Sequence, residues 1–349
     1  MGCYVSPLLR TYFIEKNMNL PIRFIVSLFG DRHANMLLPL LFSIEESNPQ
    51  ASVSVYWEDI NNSTIQLIAS AFPRVEWIET AFDFSTDITK RISSKTLVWE
   101  RAAHDKALGK GEWLVFLDAD TLVIKEIGRF LCSIMSDAVF TYRDCPFPIN
   151  SGVVIFRDSP KTAQFFTLWR EKTMHVLTTP DLYGQANDKR LPYGGADQMA
   201  LHLLLGYSIK QRDYTVPIDG GMLTIRMEAC EDLNETSSVP ITERTRIIHY
   251  KGGWRSILFE GGIFTKNRPK NNSWEMFVLY HSNFQKAIQT LNQRTARTMT
   301  MNDFNFTSPI FLNPQTLQER PGLYPIHWAV WQLKSFFPRL KHYLADRLR

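Results

Sequence analysis

Cysteine is scarce in this chain. Cys3, Cys132, Cys145 and Cys230 are the only four in 349 residues, and no two have the C-x-x-C spacing. That argues against both a zinc cluster and a disulfide framework, and makes a reducing cytosol the expected setting. Long apolar runs are lacking as well. None approaches the roughly eighteen residues of a membrane span, and the first twenty residues lack a basic segment followed by an apolar one, so a protein neither exported nor integral to a membrane is expected. Nor does one sign of charge dominate: 39 basic residues face 35 acidic ones, and a net charge of +4 is too small for a whole-surface nucleic-acid footprint, so no nucleic-acid partner is expected. Internal repeats and low-complexity tracts are missing. What is plentiful is core material, 44% hydrophobic and 13% aromatic residues, which excludes a disordered chain or a small stapled scaffold.

Apolar runs alternate with helical spacing along the first half. Residues 22–28 form a β-rich run that stops at Gly30-Asp31, and a helical pattern follows over 36–44. Residues 53–57 read as a strand, 63–71 as a helix and 75–78 as a strand. This order predicts an α/β, Rossmann-like, mostly parallel sheet flanked by helices, with ligands bound beyond the carboxyl ends of the strands. A helix over 97–108 ends near Gly109 and Gly111, and the apolar strand 113–117 then runs directly into Asp118-Ala119-Asp120. Residues 153–156 read as a buried strand and 162–170 as the start of an aromatic-rich helix. Residues 178–195, rich in Pro, Gly, Asp and Asn, read as a long loop that could cover an acceptor.

A boundary is placed between an α/β domain over 20–265 and a C-terminal helical extension over 266–349. Near the chain's end, Leu333, Phe336, Phe337, Leu340, Tyr343, Leu344 and Leu348 share one helical spacing, with Lys334, Lys341, His342 and Arg349 turned away and Pro338 interrupting. Two readings stand: a helix lying on an anionic membrane surface, or a terminal helix docked on the core. Met1-Gly2-Cys3-Tyr4-Val5-Ser6 fits the myristoylation pattern, which has meaning only in a eukaryotic host. Asn61, Asn62, Asn234, Asn271 and Asn305 begin Asn-x-Ser/Thr sequons, a pattern frequent by chance and here without a signal or anchor.

The chemistry concentrates at Asp118 and Asp120. Two carboxylates one residue apart, on a tight turn after a buried strand, can hold a hard divalent cation such as Mg or Mn, and that cation can bridge a diphosphate. An ordinary acidic turn is the plain alternative. The strand, the Asp-x-Asp turn and Thr121-Leu122-Val123-Ile124 after it resemble the GT-A nucleotide-sugar transferases, and within them glycosyltransferase family 8. Asn150-Ser151-Gly152-Val153, Asp197-Gln198 and His249-Tyr250-Lys251-Gly252 follow in that family's order, so the resemblance covers residues 22 to 260.

The resemblance implies Asp118, Asp120 and His249 as metal ligands, and Asn150, Asp197 and Gln198 as the lining of the sugar pocket. Arg101, seventeen residues before Asp118 on a helix, stands where the family places a donor-binding arginine. Asp31 falls where the family contacts base and ribose, although Leu28-Phe29-Gly30-Asp31 departs from the usual Ala-x-Asp. Gly252 belongs to the terminal motif, and Arg255 takes the place of a phosphate-binding lysine. The activity implied is a Mn- or Mg-dependent, retaining transfer of a hexose from a UDP-sugar to a glycan or lipid-linked acceptor. The cysteine usage and the basic, aromatic tail make the cytoplasm, or the inner face of the plasma membrane, the expected location. A nucleotidyltransferase or another GT-A-like transferase is the alternative within enzymes, and a non-catalytic nucleotide- or sugar-binding module the alternative outside them.

Overall fold

In the computed structural model the described residues are 20–81, 93, 95–106, 112–143, 149–188, 191, 194–206, 211–234, 241–251, 258 and 274–304. The N-terminal motif at Gly2-Cys3, Gly252, Arg255, the sequons at Asn271 and Asn305 and the amphipathic tail lie outside them.

The described residues open with three β-α repeats. β1 (Ile22–Phe29) leads to α1 (Asp31–Ser47), β2 (Ser52–Glu58) to α2 (Asn62–Ala71), and β3 (Val75–Glu79) to α3 (Lys95–Lys106). β4 (Trp113–Asp118) follows and carries the Asp-Ala-Asp turn, and β5 (Thr121–Val123) leaves the turn. Then come β6 (Ala138–Tyr142), β7 (Ile149–Arg157), α4 (Pro160–Thr178), α5 (Pro180–Asn187) and α6 (Ala196–Leu205). The hairpin β8 (Asp213–Ile218) and β9 (Gly221–Ala229), the single turn α7 (Cys230–Leu233), β10 (Ile247–His249) and α8 (Trp274–Thr295) complete the series.

Eight strands form one sheet in the order β3-β2-β1-β4-β7-β6-β9-β8, and β5 pairs with β10 in a separate ribbon. The pairs β3-β2, β2-β1, β1-β4 and β6-β9 are parallel, whereas β4-β7, β7-β6 and β9-β8 are antiparallel. This is the mixed, mostly parallel α/β sheet expected. The period of two along the central strands divides the core into two layers. Phe24, Val26 and Leu28 of β1 and Val115 and Leu117 of β4 face α1, α2 and α8 on one side. Ile25, Leu114 and Phe116 face α3, α4 and α6 on the other. α8 places Met276, Tyr280, Phe284, Ala287 and Leu291 in the first layer, so residues 274–295 share the core of the sheet.

Residues 178–195 depart from the loop expected there, because 180–187 form α5. Pro180 opens the helix, where a missing N–H costs nothing, and Asp181 follows in the first turn. Ala186 is buried in a small cluster with Val176, Leu177, Ala196 and Met199, against which Leu182 and Tyr183 pack. Composition alone hid these apolar anchors among turn-forming residues.

Two histidines make the fold acid-sensitive. Burial pushes the imidazoles of His202 on α6 and His281 on α8 from 6.5 down to about 4. An unfolded chain takes up these protons near pH 6.5 and the folded chain only near 4. Stability is therefore full above about pH 6.5 and declines as the pH falls toward 4. Thermal melts across that window are expected to show a falling Tm that is shallower in the double variant His202→Gln/His281→Gln. A Tm that stays flat in the parent protein would refute it.

Candidate active site

β1 and β4 are parallel, with Ser27 opposite Asp118, so the loops after both strands emerge at the same edge of the sheet. The Asp-Ala-Asp turn is closed by the Thr121 hydroxyl, which donates to the Asp118 carbonyl at 2.8 Å. Thr121 is the register partner of His249 across the β5-β10 ribbon, and the Tyr250 N–H donates to the Asp120 carbonyl at 2.7 Å. The ribbon thus carries a histidine from far along the chain to the two carboxylates.

The ligand atoms of Asp118, Asp120 and His249 lie within 4.8 Å of one another. His249 Nε2 is 3.0 Å from Asp120 Oδ1 and 3.7 Å from Asp118 Oδ2, and the imidazole is buried. With bonds of about 2.1 Å, neighbouring ligands on an octahedral cation stand about 3 Å apart. The spacing and the mix of oxygen and imidazole donors fit a divalent cation of the Mg or Mn kind. These three residues, named from the sequence, are brought together.

A residue not singled out in the sequence sits at the centre. Lys95, in the first turn of α3, has a side chain only 7% exposed. Its ammonium donates to Asp118 Oδ1 at 2.9 Å, to Asp118 Oδ2 at 3.1 Å and to the Ser151 carbonyl at 3.2 Å, and stands 3.6 Å from Asp197 Oδ2. Burial alone would lower its pKa, but the charges of Asp118 and Asp197 outweigh that and hold it above the ordinary lysine value. The ammonium also lies 4.6 Å from the centroid of the Trp99 ring, a cation–π contact. In the sequence the lysine lies just before the helix read over 97–108. Nothing in its spacing marks it as inward-facing.

Asp197, buried in the first turn of α6, also accepts from the Ser151 hydroxyl. Its position suits the positive end of the helix, and the Trp169 indole N–H donates to its backbone carbonyl at 2.9 Å. Ser151 and Gly152 lie where the β6-β7 pairing slips, between Phe140 and Thr141 on the partner strand. Such a bulge re-aims side chains at a strand end. Asn150 stabilises it from within, its Oδ1 accepting the Gly152 N–H at 2.8 Å.

Gln198 donates from its side-chain amide to the Gly194 carbonyl at 3.0 Å, and its Oε1 is buried without a partner among the described residues. Asp31 is exposed at the carboxyl end of β1, and its Oδ1 accepts the Asn61 N–H at 2.7 Å, tying the loops after β1 and β2 together. Arg101 lies farther along α3, 43% exposed, and pairs with Asp105 at 3.6 Å one turn on. Lys95, and not Arg101, is the cation in contact with Asp118 and Asp197. Asn234, read in the sequence as the start of a sequon, is 0% exposed, so its amide is closed to modification in the folded chain.

A scan against protein families finds no match, and a search of curated proteins finds none either. Among solved structures, the chain is similar to the glycosyltransferase GlyE of Streptococcus pneumoniae TIGR4, with 11% identity and a TM-score of 0.48 over 80% of this chain. The match covers 64% of GlyE, less than two thirds of its length. It is also similar to the galactosyltransferase LgtC in complex with donor and acceptor sugar analogs, with 13% identity and a TM-score of 0.45 over 74% of this chain and 95% of that one. A third similarity is to a glycosyltransferase involved in the glycosylation of the major capsid of PBCV-1, with 14% identity and a TM-score of 0.41 over 68% of this chain and 96% of that one. No helix among the described residues is long and apolar enough to cross a membrane.

Proposed function

We propose that the protein is a divalent-cation-dependent glycosyltransferase that moves a hexose from a UDP-sugar to a glycan or lipid-linked acceptor with retention of configuration. One observation carries the reading: a partly buried Asp118-Asp120-His249 ligand set at the carboxyl edge of the sheet, joined through Lys95 to the Asp197 carboxylate. Asp118, Asp120 and His249 would hold Mn or Mg, which supplies Lewis-acid stabilisation of a diphosphate leaving group. Asp31, the first residue of α1 at the same edge, supports a place for base and ribose.

Asp197 is held by Ser151 and Lys95, an arrangement suited to binding donor hydroxyls and unlike that of a free nucleophile. Gln198 is too weak a nucleophile for the alternative. The chemistry that suits these residues is a same-face displacement: the acceptor hydroxyl bonds to the anomeric carbon as the bond to the phosphate oxygen breaks, and the departing phosphate takes the hydroxyl proton. The protein's part is then positioning and charge stabilisation. The basic, aromatic sequence of residues 328–349 supports a lipid-borne acceptor at the cytoplasmic membrane face.

Calorimetric titration of UDP is the test. Binding is expected with Mn present and absent with EDTA, and Asp120→Ala is expected to weaken it by about tenfold, or ~1.4 kcal/mol, with two ligands remaining. Equal affinity with and without the cation, or no UDP binding at all, would overturn the proposal.

A further inference from the structure

Behind the ligand set lies a buried polar chain of side chains. His249 Nδ1 is 3.0 Å from the side-chain oxygen of Asn234. The Asn234 amide nitrogen donates to the Thr141 hydroxyl at 2.8 Å, and that hydroxyl has the Asn150 carbonyl as acceptor at 3.5 Å. Asn234 follows α7, where its backbone N–H closes on the Cys230 carbonyl at 2.7 Å. All three side chains are buried.

The Asn234 amide faces Thr141 with its nitrogen and His249 with its oxygen. The Thr141 hydroxyl donates to Asn150, so it accepts from the amide nitrogen of Asn234, and the amide oxygen is left to face His249. Nδ1 therefore carries the ring proton and Nε2 the lone pair. Nε2 faces Asp120 Oδ1 at 3.0 Å, so in the neutral ring its lone pair points to the place where Asp118 and Asp120 would hold a cation. From this network we infer that Asn234 is the positioning residue of the metal centre: it selects the tautomer of His249 that presents Nε2 to the ion and holds the ring plane against strands β6 and β7. The inference rests on the metal reading above.

The choice of an amide has an electrostatic logic. Asp118, Asp120 and Asp197 are three carboxylates and Lys95 one ammonium, which leaves two negative charges for a divalent cation. A carboxylate at position 234 would orient the imidazole equally well but add a third, uncompensated charge to the buried metal-free site. Orientation and charge can therefore be separated by substitution.

The experiment is calorimetric titration of Mn alone into the full-length protein and its Asn234→Leu, Asn234→Asp and Asp120→Ala variants, with thermal melts of each metal-free form. Asn234→Leu is expected to weaken Mn binding by about 10- to 100-fold, the usual cost of losing a partner behind a metal-bound histidine. Asn234→Asp is expected to keep or tighten Mn affinity while lowering the metal-free Tm, an opposite ordering that a merely structural asparagine would not produce. Should Asn234→Leu fail to fold, Thr141→Val carries the test: it frees the amide to turn and is expected to weaken Mn several-fold. Mn affinity unchanged in the leucine variant, or in the valine variant where that stands in, would overturn the role of Asn234, and so would an aspartate variant as weak as the leucine one. A parent protein whose Mn binding is absent, or untouched by Asp120→Ala, would overturn the metal centre itself and the inference with it.

Discussion

Gly152→Ala is expected to weaken cation-dependent nucleotide binding by about a hundredfold while the protein remains folded, two displaced ligands each costing at least about tenfold. Gly152 stands on the bulged stretch of β7, one residue before Val153, the register partner of Leu117, and the His249 ring lies directly over it. A Cβ there would sit 2.6 Å from His249 Nδ1 and 3.0 Å from Asp118 Oδ2. Neither neighbour can withdraw easily, since the ring is held by Asn234 and the β5-β10 ribbon, and the carboxylate by Lys95. The glycine is required by close approach of a side chain, not by an unusual backbone angle. Gly184→Ala is the matched control: it lies within α5 with nothing near its would-be Cβ, and is expected to add about 0.5–1 kcal/mol of stability. Titrating UDP with Mn into both variants decides the matter, and equal affinities would show that the His249 ring does not rest on Gly152.

Lys95→Met is expected to damage both stability and turnover. Removing the ammonium leaves Asp118 and Asp197 facing each other, the latter with a side chain 7% exposed. Loss of one partner from a buried ion pair costs about 3–5 kcal/mol. The lower end is expected here because the Asp118 side chain is 26% exposed and keeps some water. With donor and cation saturating, the rate should fall by about a hundredfold, as when one preorganised charge is taken from a reacting site. Divalent cation should partly restore the Tm, because it supplies the missing positive charge to Asp118. Lys95→Arg is a poor rescue, since a planar fork cannot donate to both Asp118 oxygens and the Ser151 carbonyl from one point while standing beside Asp197. A Lys95→Met protein with unchanged Tm and rate would refute the role of the ammonium as the tie between the two carboxylates.

The layered sheet was readable because β1, β2 and β4 are largely buried on both faces and so appear as short, mainly apolar runs, uninterrupted over 113–117 of β4. The Asp118-Asp120 turn was readable for the same reason, two charges at the end of such a run. His249 was reachable only through its motif, for a lone histidine carries no periodic signature. Lys95 and Asn234 escaped because their meaning lies in partners distant along the chain: a lysine opening a helix looks solvated, and an asparagine before Glu-Thr looks like a sequon. α5 escaped because Gly184 and Asn187 are turn-formers, and its stability comes from tertiary packing of Ala186 and its neighbours.

The β5-β10 ribbon makes the site a signature of the finished chain. Asp118, Asp120 and Lys95 come from the first half, whereas His249 arrives on a strand near the end of the described α/β region. Lys95 holds the Asp118 carboxylate from the first half of the chain, and only the docked strand adds His249 to complete the ligand set. Assembly of the three ligand atoms within 4.8 Å of one another therefore reports that two remote stretches of polypeptide have met.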